Sequence, residues 1–250
     1  MKPSNLLEKE MPQDLASVRQ SALSSLATIG LTVRNASLAD VNAIDALFDK
    51  RYPPEIAREI SPYESMRVIH YGRVFLLENE KKDIVACQYS VPYHTDIKIA
   101  YAMRLIVSAD YEGKKIADNL YRLLTVAAVD DGNDVQDSLV SVGNNAIHNM
   151  ILNNMGACYT GIVEENLTGV HHHLVSRLNL KGGNLFRRVT SMSLNAYLDN
   201  ASERDFEVIE CDDICGIAAL FKKQNHNAVA LIRPEWRKGI AKPSFLFTQK

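Results

Sequence analysis

The stretch SADYEGKKIADNLYRLL, from Ser108 to Leu124, decides how the rest of the chain is read. From Ile116 onward its apolar residues fall at Leu120, Leu123 and Leu124, then Ala127, the one-faced spacing of an amphipathic helix that Gly132 ends. Ahead of that helix lies a short polar hinge that follows an apolar strand candidate. The first four amides of any helix lack acceptors within it, and the aligned peptide dipoles add about half a positive charge at that end. Phosphate is attracted to such a place. Gly113 allows a close turn there, while Lys114 and Lys115 add positive charge. An ordinary helix start with solvated lysines fits the same letters, because backbone nests are common and undemanding in sequence. The order of the surrounding elements therefore has to separate the two.

Upstream, three strand candidates run in succession: Arg73 to Glu78, Ile84 to Val91 after the polar turn Asn79 to Asp83, and Ile97 to Val107. Before them Leu31 to Asn35 alternates as a strand, and Ser37 to Asp40 supplies an N-cap with an acid three residues on. The helix so started runs through Val41, Ile44, Leu47 and Phe48 until Pro53 and Pro54 break it, and a second helical region, interrupted at Ser61 and Pro62, reaches about His70. Leu15, Val18, Ala22 and Leu26 form a separate helix that Gly30 ends. Downstream, Ser138 to Val142 reads as a strand, Asn145 to Met155 as a helix ended by Gly156, and Ala157 to Val163 as a strand. Glu164 to Gly183 reads as a loop and Phe186 to Ala196 as a further strand. The fold class expected is α/β, a mixed and mostly antiparallel central sheet with helices on both faces, plus an N-terminal helix and a C-terminal extension. The expected division is an appendage at 1–30, a main domain at 31–197 and an extension at 198–250. Within that extension Asp213 to Lys223 echoes Asp40 to Lys50, which two amphipathic helices or a truncated repeat would both produce.

Lys and Arg total 28 against 30 Asp and Glu, so no global positive field exists to hold nucleic acid or an anionic membrane. No run of about 18 apolar residues is present to span a membrane. The four cysteines form no CxxC pair and no secretory apolar segment opens the chain, which predicts reduced thiols and a cytoplasmic location. Cys211 and Cys215 share the spacing of one helical turn, but no second Cys or His pair accompanies them, so no metal site is expected. His171, His172 and His173 are adjacent, and neighbours on an extended chain point to opposite sides, which prevents all three from facing one ion.

Arg104 to Ala117, together with Val142 to Asn145 and with Met155 and Gly156, resembles the GNAT superfamily of acyl-CoA N-acyltransferases. The first segment looks like that family's strand and pyrophosphate loop, and the others like its next strand and helix; the likeness spans about residues 31 to 197. The resemblance implies acetyl-CoA or another acyl-CoA as co-substrate, lying along the strand that ends at Val107. Backbone groups of Ile106 and Val107 would orient its pantetheine arm, and amides of Gly113, Lys114, Lys115, Ile116 and Ala117 would hold its pyrophosphate. Asn145 would contact it from the next helix. A small-molecule or peptide amine would attack the thioester directly, no nucleic acid would take part, and a homodimer is left open. The histidines at 171–173 would lie where the family shapes its acceptor pocket.

The departures are equally specific. The family pattern Arg/Gln-x-x-Gly-x-Gly/Ala falls on Glu112, Lys115 and Ala117, of which only the last conforms. Glu112 brings a negative charge toward a pyrophosphate, which Lys114 and Lys115 offset. The tyrosine that many members place seven residues after the Asn corresponds to Leu152, leaving Tyr159 or His148 to protonate the departing thiolate. A thiol of pKa about 8.5 needs less help than an alkoxide. The strand from Ile97 to Val107 carries no carboxylate, so Glu78 on an earlier strand, or a water chain, is the expected base. Two other readings keep the fold: an acyl carrier protein as donor, met by Lys81, Lys82, Lys114 and Lys115, or a non-catalytic binding protein. Trp236 to Ala241 matches the loop's glycine better, yet Lys242 and Pro243 leave no helix behind it.

Overall fold

The computed structural model describes residues 14–52, 62–165, 171–181, 185–186, 189–200, 206–223 and 226–249, and the chain divides into two units, 14–136 and 137–250. In the first unit β1 (Thr32–Asn35), β2 (Arg73–Glu78), β3 (Ile84–His94) and β4 (Lys98–Val107) pair antiparallel in chain order. Four described helices accompany them: α1 (Leu15–Ala27), α2 (Val41–Arg51), α3 (Pro62–Tyr71) and α4 (Ile116–Asp130). Successive strand residues point to opposite faces, and that sorts the core into two layers. Val74 and Leu76 of β2 join Ile44, Leu47 and Phe48 of α2 and Val68 of α3. Phe75 and Leu77 join Ala22 and Leu26 of α1 and Ile116, Leu120 and Leu123 of α4. Each of the larger of these side chains contributes about 1.5–3 kcal/mol when fully buried, so the strand pattern dictates which helix docks on which face. The mixed α/β architecture with antiparallel strands and helices on both faces is the one expected from the sequence.

Polar ties fix the helix ends. Asp14 accepts from the Ser17 amide at the start of α1. Asp40 accepts from the Ser37 amide at 2.7 Å, while Arg34 grips Asp40 and reaches Glu78 Oε1 at 2.6 Å, joining the start of α2 to two strands. At the far end of α4, Gly132 adopts φ 74° and donates to the Val129 carbonyl, a left-handed cap that a residue with a β-carbon enters only under strain.

In the second unit, which the chain enters along β5 (Val135–Ser141), a short helix α5 (Asn145–His148) continues as a π turn, Asn149–Asn154. β6 (Cys158–Glu165), β7 (His171–Asn179), α6 (Ser191–Asn200), β8 (Phe206–Glu210), α7 (Ile214–Lys222), β9 (His226–Ile232) and β10 (Ser244–Gln249) follow. β7 pairs with β6, β6 with β9 through Tyr159 and Ala228, β9 with β10, and β10 with β8, all antiparallel. Leu194, Tyr197 and Leu198 of α6 pack on Ala230, Ile232 and Leu246.

Two expectations fail here. The interval Glu164 to Gly183 is not one loop, because β6 extends to Glu165 and His171–Asn179 is a strand, with 166–170 and 182–184 outside the described residues. Its alternation is real but muted: Leu174, Ser176 and Leu178 are all buried at every second position, and the central serine and flanking histidines disguise the apolar stripe. Phe186 to Ala196 is not a strand, since a helix begins at Ser191 and residues 187–188 lie outside the description. Thr190 Oγ1 accepts from the Ser193 amide, a cap followed by buried Leu194, Tyr197 and Leu198 at helical spacing. The two echoing helices occupy different places in the pairing order. β1 pairs with the next strand, whereas β8 passes over β9 and pairs with β10.

Candidate functional site

The loop expected to matter leaves β4 just after an irregularity. Cys87 of β3 faces Ile106, yet Tyr89 faces Met103, so β4 holds one residue more than its partner. That bulge contains Arg104 at φ 53°, a left-handed conformation in which a side chain is strained, and bulges of this kind bend a strand and free backbone groups from the ladder. Opposite it, Gln88 is 1% exposed and its Oε1 has no partner among the described residues. Ile106 and Val107 resume regular pairing with Cys87 and Ala86.

Beyond Val107 the chain makes a 3-10 turn at Ala109–Tyr111, then bends through Gly113 at φ 74° and Lys115 at φ 58° into α4. The first bond of the helix runs from the Asn119 amide to the Lys115 carbonyl at 3.1 Å. The six amides from Gly113 to Asp118 donate to no acceptor among the described residues. Gly113, Lys114 and Lys115 are exposed, Ala117 is half-buried, and Ile116 is buried beneath them as the anchor of the helix.

Charge at this loop is arranged differently from what the letters suggest. Arg51, the last residue of α2, sets its Nη2 2.5 Å from Glu112 Oε1, so the acid in the loop is already paired. Lys114 folds over the Tyr111 ring at 4.5 Å from its centroid, and Asp118 is engaged by Arg122 at 3.0 Å. The loop thus presents unpaired amides among cations rather than a lone carboxylate. Local spacing gave no hint of Arg51, because its partner lies far along the chain.

On the face covered by α2 and α3, the bulge residue Arg104 approaches Glu64 of α3, with Nε at 3.4 Å from Oε1 and Nη2 at 3.5 Å from Oε2. The Tyr52 phenol, at the end of α2, is kept protonated by burial, with Arg104 and Arg51 pulling weakly the other way. Deeper in the same layer the Ser65 hydroxyl donates to Asp45 at 3.2 Å and meets the Tyr89 hydroxyl at 2.9 Å. Burial raises the Asp45 carboxyl above its ordinary value, against the Ser65 hydrogen bond. Glu78 stands elsewhere: Arg34 beside it, with Lys82 assisting, holds its carboxyl below the usual range. That is the environment of an ion-pair partner, opposite to what a proton acceptor requires.

In the second unit His148 and Tyr159 are brought together, both fully buried. The Val142 carbonyl can only accept, so Nε2–H of His148 donates to it at 2.8 Å and Nδ1 accepts from the Tyr159 hydroxyl at 2.6 Å. Burial pushes the imidazole down to about 4, and Phe245 packs edge-on against both rings. Asn145 is exposed, and the cap of its helix is Asn144, which accepts from the Ile147 amide. Leu152 is wholly buried in the π turn.

A separate cleft of about 290 Å³, lined by Gly72, Arg73, Ser90, Pro92 and Asp131 among others, lies at the opposite end of α4 from the loop. With a rise of about 1.5 Å per residue, the length of α4 keeps the two apart. Among the described residues no three His, Cys, Asp or Glu side chains gather as a metal site, and no helix is long and apolar enough to cross a membrane.

No protein-family model and no curated protein sequence matches the chain. Solved structures do resemble part of it. The NatC complex bound to Gag peptide and CoA has a chain 14% identical with a TM-score of 0.48, covering 60% of this chain and 98% of that one. A chimera of the spermidine N-acetyltransferase SpeG from Vibrio cholerae and hSSAT is 19% identical with a TM-score of 0.49, over 60% and 96%. An N-acetyltransferase from Staphylococcus aureus Mu50 is 19% identical with a TM-score of 0.46, over 60% and 99%. The second and third are N-acetyltransferases, the kind of enzyme the sequence resemblance implies, and the first is bound to CoA. At this level of identity and superposition they stand beside the geometry, and the functional reading rests on the loop itself.

Proposed function

We propose that this protein is an N-acyltransferase that moves an acyl group, most simply acetyl, from a CoA thioester to an amine. The observation that carries the reading is the run of six acceptor-less amides, Gly113 to Asp118, opening a 15-residue helix directly behind a bulged strand. A pyrophosphate supplies oxygens for such a row, and the helix dipole favours its charge. Glu112 does not oppose it, because Arg51 neutralises that carboxylate and adds a guanidinium at the rim. Freed backbone groups at the Arg104 bulge are the natural contacts for a thioester arm running back along β4. A second reading, an acyl carrier protein as donor, is favoured by the exposure of Lys81, Lys82, Lys114 and Lys115.

Calorimetric titration with acetyl-CoA and with pantetheine tests the loop directly. Acetyl-CoA is expected to bind at least about tenfold more tightly, since pantetheine lacks the phosphates that a helix terminus and its cations hold. Amine-dependent release of free thiol then separates an enzyme from a binding protein. A folded sample that ignores acetyl-CoA overturns the CoA reading, and faster turnover of an acyl carrier thioester moves the assignment to the second.

A further inference from the structure

Arg104 holds a conformation that glycine adopts freely and arginine does not, and it does so at the bulge of β4. Its guanidinium turns toward α3, where it meets both carboxylate oxygens of Glu64 at 3.4 and 3.5 Å, with the two side chains 34% and 18% exposed. A charge-assisted bond of full strength is shorter, about 2.7–2.9 Å, so each ion is only partly satisfied by the other. The pair is thus loose, partly withdrawn from water, and set beside β4, the strand assigned to the thioester arm.

We propose that Arg104 and Glu64 are the acceptor subsite, and that the acceptor is an amine bearing its own carboxylate, as an α-amino acid does. The proposal rests on the thioester reading of β4 and its loop. An amino acid entering this pair exchanges partner for partner: its ammonium replaces the guanidinium at Glu64, and its carboxylate replaces Glu64 at Arg104. No charge is left alone in a partly dehydrated place. A plain amine would draw off Glu64 and strand the guanidinium, a penalty that selects against it. The planar fork of arginine also orients a carboxylate by two contacts, which aims the neighbouring nitrogen.

The same arrangement supplies the missing base. The bound ammonium gives one proton to Glu64, and the nitrogen lone pair forms the C–N bond as the C–S bond breaks. A second nitrogen proton goes to the departing sulfur, yielding free thiol, and the amide retains the third. Glu64 then returns its proton to water. Asp45, deeper in the same layer, is committed to Ser65, and Asp40 at the start of α2 to Arg34.

The test compares amino acids with their decarboxylated amines, phenylalanine with phenethylamine among them, on the full chain at saturating acetyl-CoA with free thiol as readout. Wild type is expected to favour the best amino acid by at least about tenfold in kcat/KM, a conservative ratio for a partly exposed ion pair. Arg104→Gly removes the guanidinium at a position whose φ suits glycine, so loss of folding does not explain its effect, and the ratio should collapse toward one through KM. Glu64→Gln should lower kcat about 10²- to 10⁴-fold, with the affinity for acetyl-CoA unchanged. Equal or better use of the decarboxylated amines, a ratio that survives Arg104→Gly, or acetyl-CoA binding without acylation of any amino acid overturns the acceptor assignment alone. Failure to bind acetyl-CoA at all removes the thioester reading and this proposal with it.

Discussion

Glu112 stands where the family resemblance implies an arginine or glutamine, and Arg51, from another helix, pairs with it. Both side chains are about half exposed, so the effect of the pair is modest and salt-sensitive. Glu112→Gln is expected to release Arg51 toward the ligand and tighten acetyl-CoA by about threefold at low salt, while Arg51→Ala weakens it by a similar factor. Titrations at about 0.05 and 0.5 M salt check this, because both effects should shrink as screening rises. Weaker binding by Glu112→Gln would contradict the exchange. Single residues also mark the limit of what the letters reveal. Gly113, Lys114 and Lys115 were legible because turn chemistry and charge are local. Arg51 and Glu64 were not, since each acts through a partner that only tertiary packing brings near, 40 positions away in the case of Glu64 and Arg104. The left-handed φ of Arg104 leaves no trace in residue type.

Among the elements, the π turn after His148 has a structural task that helical periodicity hid. Asn153 projects from it onto β9, accepting from the Leu231 amide at 3.0 Å and donating to the Leu231 carbonyl at 2.9 Å. One buried side chain thereby imitates a neighbouring strand. Asn153→Leu keeps the branched shape, with somewhat greater bulk, but orphans both backbone groups, which should cost the second unit about 2–4 kcal/mol in denaturant unfolding. A loss below about 0.5 kcal/mol, the scale of an ordinary surface change, would show that the contact is dispensable. Elements were legible where apolar period and burial coincide, as in α1, α2, α4 and β2 to β4. They were obscured where polar residues occupy core-facing positions, as Ser176 does in β7, or where a Thr190 cap precedes a helix that opens Ser-Met-Ser with Met192 exposed, so that its buried stripe starts only at Leu194.

For the whole molecule, the two units differ in their response to acid. Asp40 and Glu78 are held below their ordinary values by Arg34, so the stability they add is present above about pH 4 and lost as pH falls further. His148 works in a different window. Its imidazole is held neutral down to about 4 in the fold, while the unfolded chain takes up that proton near 6.5, so stability falls as pH drops between those values. At pH 5 the loss amounts to about 2 kcal/mol. Pulse proteolysis of the full chain at pH 7 and pH 5, with the fragments mapped by mass, should place the first new cuts within 137–250. First cuts within 14–136 would refute the assignment of the acid-sensitive group to His148.

The bend at Lys115 separates conformation from residue type. Its φ of 58° is the torsion that a glycine ordinarily supplies, here held by a lysine two residues after Gly113 at φ 74°. A search of strand-to-helix junctions by dihedral fingerprint, two left-handed residues with one between them before an amphipathic helix, would therefore find loops of this shape that a glycine pattern passes by.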